Sequence, residues 1–407
     1  MGATEYPRPP VAGLDWNNLG FEPVEGTLYL QPNLFSHSPQ IPPILTLSFH
    51  AVNGHIESRF TPSTNTWSPP TFVADPHIRI HGLTPALNYG QQIFEGLKAF
   101  RTRSGRITLF RPDQNAARFA RSARAVSIPP VPSHIFLEAV HAAVAMNSEF
   151  VPPLGSGAAL YIRPLAFASS ATVGLKLAGE FLFCVYVLPV AGLHRPLPVH
   201  EGGDKETSVS GVKALVVEDF DRAAPLGTGD VKVGGNYGPV LGRIDAARQE
   251  GYGLTLHLDS LSHSVVDEFS TSGFVGVRRG TGDGDGGQVT LVVSDSQQIV
   301  ASVTIDSVCE IARGLGWAVE KRPIAFTEVS EFVEVYAAGT AAMLVPVQSV
   351  ERRSTGEVIH YSTDYADPTS VFAQLYKALS GVQQGLVPDQ WGWTQEVLWP
   401  KQLDSQD

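Results

Sequence analysis

Between Pro189 and Thr207 the chain changes character: Pro, Gly, His and charged residues replace the apolar runs on either side. Such a break marks a linker between two folding units. At 407 residues the chain is long enough for each unit to bury a core of its own. The division predicted is a small N-terminal α/β domain over residues 1–188, an interdomain loop over 189–208 and a larger C-terminal domain over 209–407. Short apolar runs alternate with helical patterns throughout, which predicts a mixed α/β (α+β) fold.

In the first half, Arg106 to Phe110, Ala158 to Pro164 and Glu180 to Leu188 read as strands. Pro112-Asp113 opens a helix to about Val126, with Ala116, Phe119 and Ala123 on its apolar side, and Ser133 reads as the cap of the next helix. In the second half, Val212 to Glu218 and Leu254 to Leu258 read as strands. Pro239 starts a helix to about Gln249, and Ser302-Val303-Thr304 opens another. Residues 280–287 are Gly-rich and read as a flexible connection, because the last ligand position of a calcium loop falls on Ser294.

A formal net charge of −11 with no basic run excludes nucleic acid as a partner, although a small anion needs only a few local donors. The longest apolar run, Phe181 to Leu193, is broken by Pro189 and is too short to span a bilayer. No targeting segment is visible, so a cytoplasmic protein is expected, with no membrane partner and no bound metal. Cys184 and Cys309 form no C-x-x-C and read as core residues.

Chemistry concentrates at Gly229-Asp230-Val231-Lys232-Val233-Gly234-Gly235-Asn236-Tyr237, where one lysine stands between two turns. A lysine so placed either suits carbonyl chemistry or is a surface lysine before a turn, and the Gly-Gly pair lets something bulky approach closely. Arg118 and Arg121 lie one turn apart on a helix, as a solvated face or an anion site. Tyr161 and Arg163 end an apolar strand. Glu268 lies among apolar residues, either buried and needing a partner or exposed. Ser302 to Thr304 offers a helix N-terminus, and Thr340 lies in the small-residue turn Gly339-Thr340-Ala341-Ala342. A lysine, a carboxylate, an arginine, a helix N-terminus and a threonine are what pyridoxal 5′-phosphate needs, though the residues alone do not assign the roles.

The ordered segments Asn88 to Ala99, Leu109-Phe110-Arg111-Pro112 with Asn115 and Arg118, Tyr161 to Pro164, Lys232 to Tyr237, Glu268 to Thr271 and Gly339-Thr340-Ala341 resemble the branched-chain aminotransferase family of class IV aminotransferases. The resemblance implies a two-domain fold-type IV architecture and pyridoxal 5′-phosphate as cofactor. It implies that Lys232 carries the cofactor as an aldimine and is the catalytic residue, that Glu268 pairs with the pyridine nitrogen and that Tyr237 bonds the phenolic oxygen. Arg118, the backbone of Val303 and Thr304, and Thr340 would hold the phosphate. Tyr89, Phe94, Tyr161, Arg163, Thr271 and the backbone of Ala341 would form the substrate pocket.

The reaction implied is transamination between a branched-chain or other hydrophobic L-amino acid and a 2-oxo acid, commonly 2-oxoglutarate, in a homodimer. Other activities of the fold, on D-amino acids or amines or as a lyase, stand as the alternative. Departures from the family pattern bear on substrate choice: Gly273 for the usual Asn, expected to loosen the turn after Glu268, Val300-Ala301, a nonpolar Ile305, Leu193 and the Pro-rich 36–43 stretch.

Overall fold

The computed structural model describes residues 6–16, 19–23, 48–49, 52–191, 211–280 and 287–399. Leu193 and most of the interdomain loop, residues 36–43 and the middle of the Gly-rich connection fall outside them. Among the described residues the helices are α1 (Pro85–Tyr89), α2 (Pro112–Ala125), α3 (Ser133–Met146), α4 (Gly238–Gln249), α5 (Val303–Gly314) and α6 (Val371–Gln383). None is long and apolar enough to cross a membrane.

The first sheet is antiparallel and centres on Ala159–Ala168 and Phe181–Val190, which pair along their whole length. Helices α2 and α3 cover one face. Phe119 of α2, Phe136 of α3 and Phe183 of the sheet meet at ring separations of 5.2 to 5.9 Å, all fully buried. Burying each such ring contributes roughly 2–3 kcal/mol, which fixes both helices on the sheet. Ser133 does not cap α3. It is the first helical residue, and Pro132 occupies the cap position without a side-chain bond.

The second sheet is mixed. Val212–Val217 runs parallel to both Leu254–Leu258 and Met343–Arg352, and Gly273–Arg279 runs antiparallel between Glu334–Gly339 and Val289–Val293. Its alternating side chains feed two cores: Val275, Val277 and Leu291 face α5 and α6, while Phe274 and Val292 face Phe332 and Ile324. Phe100 and Phe110 of the first sheet join the core under α5 and α6, so the two sheets meet there.

One segment crosses back. Thr394–Glu396 pairs with Ile107–Phe110 at the edge of the first sheet, and the Arg111 amide donates to the Trp393 carbonyl at 2.7 Å. The tail therefore belongs by its pairing to the first sheet, although its position in sequence places it with the second half.

Candidate active site

Lys232 is held mainly from the first sheet. Its amide donates to Ser122 Oγ of α2 at 3.0 Å, its carbonyl accepts from the Phe94 amide at 3.0 Å, and Val233 bridges Ile93. The flanking Val231 and Val233 are buried in the first core, while Lys232 between them stays partly exposed. The Lys232 amine donates to the Tyr237 hydroxyl at 3.1 Å and lies 4.8 Å from the centre of the Phe94 ring. Among the described residues it makes no ion pair.

The two glycines that follow differ in role. A Cβ on Gly235 would meet open space, but one on Gly234 would lie 2.7 Å from the Gln92 amide. Gly234 makes room for Gln92 rather than for a flat ligand, which corrects half of the expectation for this turn.

Glu268 lies beside this lysine, fully packed on its strand. Arg222 Nη2 is 3.2 Å from Glu268 Oε1, without hydrogen-bond alignment, and its guanidinium lies 5.3 Å from the Tyr237 ring. Burial pushes the Glu268 carboxyl up to about 7, against the pull of Arg222 and Lys232. Behind it, His257 Nε2 and Ser270 Oγ are 2.6 Å apart, and burial together with Arg222 pushes His257 down to about 4, so the imidazole is neutral. Arg222 gave no sequence signal, because it lies in a loop and no periodicity ties it to Glu268.

The two arginines of α2 separate. Arg121 is exposed. Arg118 is buried and grips Glu95 with both forks, at 2.6 and 2.8 Å, while its third nitrogen donates to the Ala301 carbonyl at 2.9 Å. Burial opposes a charged Glu95, but the Arg118 charge and hydrogen bonds outweigh it and hold the carboxyl below its usual range. Arg118 thus reaches the start of α5 with its charge already matched. Glu95 is also missing from the sequence reading, because its partner lies 23 positions away on another element.

Next to this pair is a small cavity lined by Gly96, Lys98, Val303, Thr304, Gly339 and Thr340, among others. Val303 and Thr304 open α5, whose cap Ser302 accepts from the Ile305 amide at 3.2 Å. The helix thus presents its dipole and unpaired amides where Thr304 and Thr340 converge. A Cβ on Gly273 would collide with Ile305 Cδ1. Gly273 is an ordinary strand residue paired with Ala338, so the turn is not loosened. The two departures are complementary, since the isoleucine fills the space the glycine leaves.

The aromatic wall lies near Lys232. Phe94 packs edge-on against Tyr237 at 4.9 Å, Arg163 lies 4.9 Å over Phe94, and Arg163 donates to the Tyr161 hydroxyl at 3.0 Å. A Cβ on Gly96 would collide with that hydroxyl. Thr271 is exposed in the turn after Glu268, beside Gly339. The Ala341 carbonyl accepts from Lys98 at 2.8 Å. Tyr89 is different: it is 49 % exposed on the surface, its hydroxyl donates to the Val173 carbonyl, and it is not brought to Lys232 within the protomer.

The protein's own groups fit pyridoxal 5′-phosphate. Glu268 Oε1 is buried with no hydrogen bond, as an acceptor facing a ring N–H would be, and Lys232 has no acid partner among the described residues. Residues 92–350 match the amino-transferase class IV family. The chain is 78% identical to the transaminase htyB of Aspergillus rugulosus, over 100% of this chain and 99% of that protein. It is 58% identical to the branched-chain amino acid aminotransferase gloG of Glarea lozoyensis, over 97% and 99%. Its fold is similar to that of the branched-chain amino acid aminotransferase of Escherichia coli, with a TM-score of 0.65 at 23% identity over 81% of this chain and 97% of that one. The shared fold and the family match converge: this chain belongs to the class IV aminotransferases and is a pyridoxal 5′-phosphate-dependent enzyme.

Proposed function

We propose that this enzyme transfers an amino group between a branched-chain or other hydrophobic L-amino acid and a 2-oxo acid, with 2-oxoglutarate and glutamate as the common partner pair. The observation that carries the reading is the wall beside Lys232. It is built of Phe94, Tyr161 and Tyr237 and carries the guanidinium of Arg163, which makes no ion pair among the described residues. Aromatic faces suit an apolar side chain, and the unmatched cation suits the second carboxylate of a dicarboxylic partner.

When bound, pyridoxal 5′-phosphate supplies a carbonyl to receive the amino group and a ring that draws electrons from the substrate Cα. Thr304, Thr340 and the first amides of α5 would hold its phosphate, with Arg118 at the edge. Glu268 would face its ring nitrogen and Tyr237 its phenolic oxygen. Lys232 moves the proton at the substrate Cα, and the Tyr237 hydroxyl at 3.1 Å orients the amine. Arg222 keeps Glu268 beside the ring. Phe94 and Tyr161 keep water from the reacting carbon.

A homodimer follows from the same reading. Leu87, Val173, Leu175 and Leu177 are 64, 48, 91 and 76 % exposed around Tyr89, an apolar patch that a second protomer would cover. Light scattering should give twice the chain mass, and Leu175→Asp with Leu177→Asp should give a monomer.

The deciding experiment is a donor screen of L- and D-amino acids against 2-oxoglutarate. Turnover of apolar L-amino acids is expected, with none left in Lys232→Ala. Turnover confined to D-amino acids or simple amines would overturn the assignment.

A further inference from the structure

Lys98 has no part in the reaction as described, yet it lines the same cavity. It lies between the buried Leu97 and Ala99 on a strand of the first sheet. From there it reaches the hairpin turn of the second sheet that joins Gly339 to Met343, where its amine donates to the Ala341 carbonyl at 2.8 Å. That turn ends on Met343 at φ 64, a left-handed conformation that a non-glycine residue keeps only when its surroundings hold it.

No described carboxylate pairs with the Lys98 amine. The residue as a whole is only partly covered, but the protein packed around the amine pushes it down to about 8. Two other cations near the cavity are matched: Arg118 by Glu95, and Arg111 by Asp306 at 2.8 Å and Ser307 at 2.8 Å. An unmatched positive charge is costly in such surroundings unless a ligand supplies the counter-ion. The remaining polar lining, Thr304, Thr340 and the start of α5, consists of groups able to donate.

We propose that Lys98 is a positioning residue that acts in two ways. Its amine fixes the Gly339–Met343 turn through the Ala341 carbonyl, and its charge is the one neutralised by an anion, phosphate or carboxylate, bound between that turn and α5. This rests on the cofactor reading above. It assigns the unmatched charge of the cavity to Lys98 and leaves Arg118 as the partner of Glu95.

The test uses wild type, Lys98→Met, which loses donor and charge, and Lys98→Gln, which keeps a donor without charge. Inorganic phosphate is titrated into the cofactor-free proteins by calorimetry, and 4-methylpentanoate, an unreactive carboxylate, into the holoenzymes by the absorbance of the cofactor. At least one anion is expected to bind ten-fold or more weakly to Lys98→Met, and the one affected identifies the ligand. Lys98→Gln is expected to lose as much affinity while melting within a few degrees of wild type, and a Lys98→Gln protein that keeps wild-type affinity for both anions would remove the role of the charge. Folded variants that bind both anions within two-fold of wild type would overturn the proposal. A wild-type protein that binds neither phosphate nor pyridoxal 5′-phosphate would instead overturn the cofactor reading on which it stands.

Discussion

Two buried glutamate–arginine pairs flank Lys232, and they are built to opposite ends. In Glu95–Arg118 every strong contact is made: two fork bonds, a further bond from Asn115 at 2.8 Å, and a carboxyl held firmly ionised. In Glu268–Arg222 the approach is 3.2 Å without alignment, one carboxylate oxygen bonds to nothing, and the carboxyl is pushed up to about 7. A completed pair is a structural joint, here between α2 and the strand before Gly96. An incomplete one keeps a polar atom in reserve for a ligand. The proposed chemistry lies on the side where the protein leaves its hydrogen bonding unfinished.

That contrast can be broken at several points. Glu268→Gln is expected to lower kcat by roughly 10²–10⁴-fold, the range for a lost acid–base partner, while the cofactor-free protein stays folded. Steady-state rates and urea melts of one preparation check both halves, and an active variant would remove the functional role of this pair. Glu95→Gln should do the reverse and cost about 3–5 kcal/mol of unfolding free energy, because it leaves the Arg118 charge buried and unmatched. If denaturant midpoints do not move, Glu95–Arg118 is no joint.

The pH response sharpens the difference. A carboxyl raised from 4.5 to about 7 binds its proton more tightly in the folded state than in the unfolded one. The stability it adds is fully present below pH 4.5 and is lost as pH rises through 7, a change of roughly 3 kcal/mol. Melting curves of the cofactor-free protein should show this slope, and Glu268→Gln should flatten it.

Smaller effects belong to the packing around the cavity. Gly273→Ala should cost about 1–3 kcal/mol by overpacking Ile305, and Ile305→Val in the same chain should recover part of it. Independent losses that simply add would show that the two positions are not coupled. Arg121→Ala, on the exposed side of α2, should change stability by less than about 0.5 kcal/mol, in contrast to its buried neighbour Arg118.

The strands, the long helices and Lys232 with its Tyr237 neighbour were legible because each announces itself within a few residues, by period, by turn chemistry or by resemblance. What the sequence hid was whose space a side chain occupies. Gly234 yields to Gln92, Gly96 to Tyr161 and Gly273 to Ile305, each across elements that share no local pattern. Likewise Arg118 read as either a solvated or an anion-binding cation with no hint of its Glu95 partner, and Arg222 and Lys98 gave no signal, because charge partners are chosen in three dimensions. Tyr89 stands apart: its motif is plain, but its place is on the outer surface of the protomer.

The returning tail has a consequence for how the chain is made. Glu396 pairs with Arg106 across 290 positions, and the Tyr6 hydroxyl reaches the Val397 carbonyl across 391. The first sheet is the earlier part to leave the ribosome, yet its edge strand arrives only when nearly all of the second half has been translated. Co-translational folding can therefore gather its centre but not close its rim, and the apolar edge at Phe110 must wait, open to wrong partners, while roughly 280 further residues are added at about 5–20 per second.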